Sequence, residues 1–319
     1  MMNRIQSGTI ILILSMVIFS CSKNTDNPQG GDPDNPASFS GAIYYEQADN
    51  GIIKLDMSTS MKGVLFPPDI YRYSWDLSRD SKRMLTTSQA DDHDYDANVY
   101  TYINVADGTI IKQFKYYPTE GDITSALLSF DEKFIAVKPT YDDGIVIMDI
   151  NGKLLYVLDA VNGIKIRDED ICWMPDNTIL FRVKNKLYRT SSDFKQADLI
   201  KEMPFNDWRS FVTNADGSKI SFYASNHIWL MNADGSNMVQ VTESSGVEAA
   251  PEFSPDGKFL VIGNDYHVTG PFGHLSYLFI IPADGKKYNV DEGKDNRVTP
   301  VIARQEKDPE ICGGNKLWR

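Results

Sequence analysis

The chain of 319 residues has little of several things: three cysteines, four histidines, and 32 basic residues against 44 acidic ones. A net charge of −12 repels phosphate backbones and anionic headgroups, which excludes nucleic acid as an expected partner. No long stretch carries a 3.6-residue apolar period. With 16 Tyr, 15 Phe and 22 Gly, the composition leans towards β structure. There is no Gly-x-Ser-x-Gly elbow, no His-Glu-x-x-His, no P-loop and no dinucleotide fingerprint. Those absences exclude an α/β-hydrolase, a metalloprotease of that type, a P-loop nucleotidase and a Rossmann enzyme.

The apolar run near the start, Thr9 to Phe19, is too short to span a bilayer but has the length of a secretory core, with Arg4 in a polar head before it. It ends in Ile18-Phe19-Ser20-Cys21, which resembles a bacterial lipobox: an aliphatic residue at −3, a small one at −1, then the cysteine that takes the lipid. Phe19 at −2 departs from that pattern. Residues 1–20 are therefore expected to be a lipoprotein signal peptide, with Cys21 lipidated. Residues 21–40 are rich in Asn, Asp, Pro and Gly, bury too little to fold, and read as a flexible tether. Ser22, in place of an inner-membrane retention Asp, points to the outer membrane.

Turn chemistry then recurs. "LSRDSK", "LSFDEK", "WMPDNT", "TNADGS" and "SPDGK" align on Asp80, Asp131, Asp176, Asp216 and Asp256, at spacings of 51, 45, 40 and 40. An aspartate there can accept a hydrogen bond from the backbone two residues on and fix a tight turn, while Gly217, Gly257 and Asn177 tolerate positive φ. A strand-like apolar run follows each copy, and a second turn such as "VADG", "NADG" or "PADG" follows that. Four short strands in 40–50 residues is the period of a propeller blade. Five blades are complete. Residues 41–66 supply three strands of a sixth, and "VTPVIA" (298–303) is expected to complete it, closing the ring and removing the open edges. The expected fold is an all-β, six-bladed propeller of four-stranded antiparallel blades over residues 41–319.

Ser254-Pro255-Asp256-Gly257-Lys258 before an apolar strand, with Met231-Asn232-Ala233-Asp234-Gly235 before "VQVT", resembles the WD-like repeat of TolB-like six-bladed propellers, best over residues 205–290. TolB proteins carry a further α/β domain ahead of the propeller. About twenty residues separate Cys21 from the first strand, so that domain is expected to be lacking.

If strands run alternately down and up, the tight Asp turns share one face and the long connections share the other. The four histidines, His93, His227, His267 and His274, then belong to the long-loop face, where binding residues concentrate. Tyr266, His267, His274 and His93 are the ligand-binding candidates there, with Trp208 and Arg209, and Arg167 beside them, near the starts of leading strands. Trp173, aligned with Phe253, reads as packing between blades. Asp92, Asp94 and Asp96 alternate like the start of a calcium loop, but Ala97 and Ile103 stand where the turn glycine and bidentate glutamate belong. A solvated acidic tip is the preferred reading, so no cofactor is expected and calcium is the one candidate. Cys172 and Cys312, assigned to blades four and one, lie out of disulfide reach and are expected to be free thiols.

The preferred function is a monomeric, non-enzymatic envelope lipoprotein. Its propeller binds a protein or glycan, and it touches the membrane through the lipid alone. The alternative is a polysaccharide lyase or glycosidase on the long-loop face, because TolB-like oligogalacturonate lyases hold a metal with histidines.

Overall fold

A computed structural model of the chain describes residues 39–90, 94–119, 123–141, 143–269, 274–291 and 293–319. Cys21, Asp92 and His93 lie outside the described residues. Strands occur throughout and there is no α-helix among the described residues. The strands form a six-bladed propeller, each blade an antiparallel sheet of four strands along its main path.

Blade two shows the plan. Arg72–Leu77 is the inner strand, followed outward by Arg83–Gln89, Asn98–Asn104 and Ile110–Tyr116. Inner strands of blades three to six are Ala126–Leu128, Ile171–Trp173, Trp208–Thr213 and Ala249–Phe253.

The turn between first and second strands is built as its sequence dictates. In all five repeats the aspartate Oδ1 accepts the N–H two residues on, from Lys82, Lys133, Thr178, Ser218 and Lys258, at 2.8–3.1 Å. Residue four of the turn is left-handed each time: Gly217 at φ 71°, Gly257 at 70° and Asn177 at 61°, but also Ser81 at 60° and Glu132 at 59°. Ser78, Ser129 and Ser254 close the loop, each hydroxyl accepting the N–H five residues on at 3.0 Å.

A single blade cannot bury both of its faces, so the core lies between blades. Among the described residues the buried apolar side chains fall into six clusters, one at each seam. Trp173 fills the seam with blade three, against Phe134 and Phe194, as its alignment with Phe253 implies. The cluster joining Val261, Leu278 and Ile280 of blade six to Ile43, Tyr45 and Leu55 of blade one closes the ring.

Closure uses a C-terminal strand, but not 298–303. Lys316–Trp318 pairs with Ala42–Gln47 as the inner strand of blade one, beside Gly51–Asp56 and Lys62–Phe66. Thr299–Pro300 instead pairs with His274–Pro282 on the outer side of blade six. The physical reason is the seam. The inner slot takes a large side chain, and Trp318 is 1 % exposed there, its indole N–H donating to Ser40 O at 2.9 Å. Pro300, with no N–H to give, sits at an outer edge, where none is needed. Cys312 is likewise relocated: Ile311–Cys312 pairs with the blade-six strand His274–Pro282, placing this thiol at the seam of blades six and one. Cys172 and Cys312 are both free and buried.

Candidate functional site

The long connections do share one face, but the predicted side chains on it do not form one constellation. His267 is exposed at the end of blade six, its Nδ1 2.7 Å from the Asp265 carbonyl. His274 stands across the same hairpin, its ring 5.2 Å from Tyr266; burial, then the Lys316 charge, pushes its pKa down. His227 opens the third strand of blade five, Nδ1 3.3 Å from Glu248 Oε2. Glu248 is wholly buried, its carboxyl pushed up by that burial, and it also accepts the Ile228 N–H at 3.2 Å. His227 thus pins blade five to the loop leading into blade six. Among the described residues no three His, Cys, Asp or Glu side chains converge as a metal requires.

Trp208 is fully buried in the seam of blades four and five, its N–H donating to Lys184 O at 3.2 Å, so it packs the fold instead of meeting a ligand. Arg209 is exposed, over the Tyr223 ring at 4.6 Å. Asp94 accepts from Lys115 Nζ and Tyr117 Oη, both at 3.0 Å, and Asp96 is exposed on the same turn.

A different set of residues marks the long-loop face. Apart from outer-strand positions, the exposed large apolar side chains lie mostly in its connections: Ile70 and Tyr71 before blade two, Tyr95 within it, Tyr117 and Ile123 before blade three. Tyr141 lies within blade three and Val268 at the tip of blade six. A cleft of about 680 Å³ opens beside blade two, lined by Tyr71 and Tyr95 with the polar groups of Asp69, Gln89, Gln113 and Lys115. Its size and its mix of aromatic surface with a few polar groups fit a binding site.

The second feature is the central channel, a cavity of about 190 Å³ that all six inner strands line. The residues four before each turn aspartate face it: Asp76, Leu127, Cys172, Val212 and Glu252. Arg79, Lys138, Asp170, Lys316 and Arg319 complete its charged lining. Asp76 is 6 % exposed and bound to the blade it faces, Oδ2 accepting the Leu128 N–H at 2.8 Å. Glu252 lies 3.6 Å from Arg319 Nη1. Burial pushes both carboxyls up and the Lys316 ammonium down. Arg79 emerges at the tight-turn end and stacks on Phe130, 3.8 Å from the ring centre. Sequence reasoning missed this group, although two signals were present. Asp76 and Glu252 stand where the other repeats carry Leu, Cys or Val, and Arg79 replaces the proline of the Ser-Pro-Asp-Gly turn.

No protein-family model matches this chain, and no curated protein matches it. Solved structures do. TolB from Acinetobacter baumannii superposes with a TM-score of 0.59 at 17 % identity, over 89 % of this chain and 67 % of that one. A putative TolB from Agrobacterium tumefaciens gives 0.54 at 16 % identity, over 78 % and 87 %. A chain of the nidogen/laminin complex gives 0.56 at 10 % identity, over 86 % and 97 %. The chain has the TolB-like six-bladed propeller fold. At these identities the likeness is one of architecture, and function has to be argued from the site.

Proposed function

We propose that this is a lipid-anchored cell-envelope protein whose propeller is a non-catalytic module that docks a protein or glycan on its long-loop face. The observation that carries the reading is the grouping of exposed Tyr71, Tyr95, Tyr117 and Tyr141 on the connections around blades two and three. Tyrosine brings a large amphipathic contact surface at low entropic cost, and a rigid ring of blades holds these loops in place. The Tyr71–Tyr95 cleft, with its amides, provides stacking and hydrogen bonding together. Anchoring through Cys21 and the 21–40 tether would hold that face at some distance from a membrane. No helix among the described residues is long and apolar enough to cross one.

The test is capture from envelope extract and binding to a glycan array, using the full chain and a Tyr71→Ser/Tyr95→Ser/Tyr141→Ser variant. The variant is expected to lose capture while melting at the wild-type temperature, since all three rings are exposed. Undiminished binding by a folded variant refutes the docking face. Cys21→Ser is expected to move the protein from the membrane fraction to the soluble one.

A further inference from the structure

The central channel holds positive charge that the protein does not neutralise. Four cations, Arg79, Lys138, Lys316 and Arg319, line it against three carboxylates, Asp76, Asp170 and Glu252. The carboxylates are occupied: Asp76 by the Leu77 and Leu128 N–H groups at 2.9 and 2.8 Å, Asp170 by the Ser210 N–H at 2.8 Å, and Glu252 by Arg319. The cations are less well matched. Lys316 is 4 % exposed, and its Nζ makes no hydrogen bond or ion pair among the described residues; Glu252 and the Cys312 sulfur act on it only at longer range. Arg319 Nε is buried with no hydrogen-bond partner. A buried ammonium without a counter-charge is costly, and the cost is removed when an anion supplies one. That this cationic excess sits inside a chain of net charge −12 makes general electrostatics an insufficient cause.

We propose that the channel is a binding site for a small monocarboxylate, its carboxylate held by Lys316 with the Arg319 guanidinium beside it. The one unmatched ammonium, Lys316, calls for one carboxylate, whereas a phosphate or sulfate dianion would bring a second negative charge towards Asp76 and Glu252 across the same cavity. A volume of about 190 Å³ is small and admits a short organic acid. The apolar lining from Leu127, Val212 and Leu317 suits the hydrocarbon end of such an acid. This site is separate from the docking face, and neither proposal depends on the other.

The experiment uses the full chain at constant ionic strength. Acetate, propionate, butyrate and hexanoate are titrated to about 20 mM, past the Kd of a millimolar site, with succinate, inorganic phosphate and sulfate as dianion arms. A rise in melting temperature with a monocarboxylate, larger than with any dianion and lost in Lys316→Met, is the expected result. Without ligand, Lys316→Met should melt no lower than wild type, because it removes a buried unpaired charge. A second readout needs no variant. Cys172 lines the channel and Cys312 does not. Bound acid should therefore slow methylthiolation of Cys172 in proportion to occupancy, and by more than that of Cys312, which lies outside the channel lining, read by peptide mass. No thermal shift with any monocarboxylate, a shift undiminished in Lys316→Met, a stronger response to phosphate or sulfate, or unprotected Cys172 at saturation would each overturn the proposal.

Discussion

Tyr45 Oη donates to Glu310 Oε2 at 2.6 Å, joining the second strand of blade one to the segment that precedes the closing strand. Lys62 Nζ donates to both oxygens of the same carboxylate, at 3.0 and 3.1 Å, and pairs with Glu306 at 2.7 Å. Glu310 is 3 % exposed, so its bond from Tyr45 is buried while those from Lys62 are half-buried, and its backbone is fixed by bonds to Leu278 and Val301. Burial and the Glu310 carboxylate together push the Tyr45 hydroxyl pKa far up, keeping it a donor. This clasp holds residues 304–312 in place so that Lys316–Trp318 can pair with Ile43–Tyr45.

Glu310→Ala is therefore expected to cost about 2–4 kcal/mol, since it leaves a buried hydroxyl without an acceptor and Lys62 with one partner fewer. Deleting 296–319 removes the clasp, the outer strand of blade six and the inner strand of blade one, and should abolish cooperative melting of the whole ring. Scanning calorimetry measures both. An unchanged transition in the truncated chain would refute closure.

The five repeated turns differ in how well their residues suit a left-handed backbone. At Gly257, φ is 70°, and an added Cβ would meet only Asn214, at 3.5 Å or more, so strain rather than collision sets the cost of Gly257→Ala. About 1–2 kcal/mol is expected from the unfavourable backbone. Ser81 occupies the matching position at φ 60° and already bears that strain. Ser81→Gly should gain about 0.5–1 kcal/mol, the relief being partly offset by glycine's entropy in the unfolded chain. Denaturant midpoints moving in the opposite directions would contradict this account.

These turns show why the blades were legible. An aspartate two residues ahead of an N–H acts locally, and each of the five carries its instruction within six residues. Closure is not local. Lys316–Trp318 is three residues long and follows Gly313-Gly314, while 298–303 offers a longer apolar run at a repeat-like spacing; only the fit of Trp318 into the last seam separates them. The channel charges fail to stand out for a related reason. Asp76 and Glu252 read as ordinary polar residues until the register shows that the position four before the turn faces the axis. The exposed tyrosines sit in irregular connections, where spacing says nothing about which side chains share a face.

The two cysteines give a chemical check on blade placement. Burial pushes the Cys172 thiol up to about 11 and the Cys312 thiol up as well, so neither is ionised near neutrality. Labelling of unreduced, denatured protein should find both thiols free, and native protein should react slowly at each. A denatured sample in which neither reacts would mean that they are joined, which seats in blade four and at the seam of blades six and one do not allow.

Acid should act on this fold in two opposed ways, and the signs follow from the shifts. The backbone N–H of Lys82, with help from Ser78, holds Asp80 down to about 2. Asp131 is also at about 2, where burial works the other way and is outweighed by hydrogen bonds led by that from Lys133. A carboxylate with a depressed folded pKa contributes stability above its unfolded value of about 4 and loses it as pH falls towards 2. Asp76, Glu248 and Glu252 are raised by burial, so the folded state binds their protons first, and stability grows as pH drops from neutral through their folded values. The melting temperature should thus climb as pH falls from neutral towards the unfolded carboxylate value of about 4, and fall between about 4 and 2. Asp80→Asn keeps an acceptor for the turn but cannot titrate, so its deficit against wild type should shrink at the acid end. Glu248→Gln should flatten the upper limb. A melting temperature that only falls from pH 7 downwards, unaltered in slope by Glu248→Gln, would show that the buried carboxyls are not raised in the folded protein.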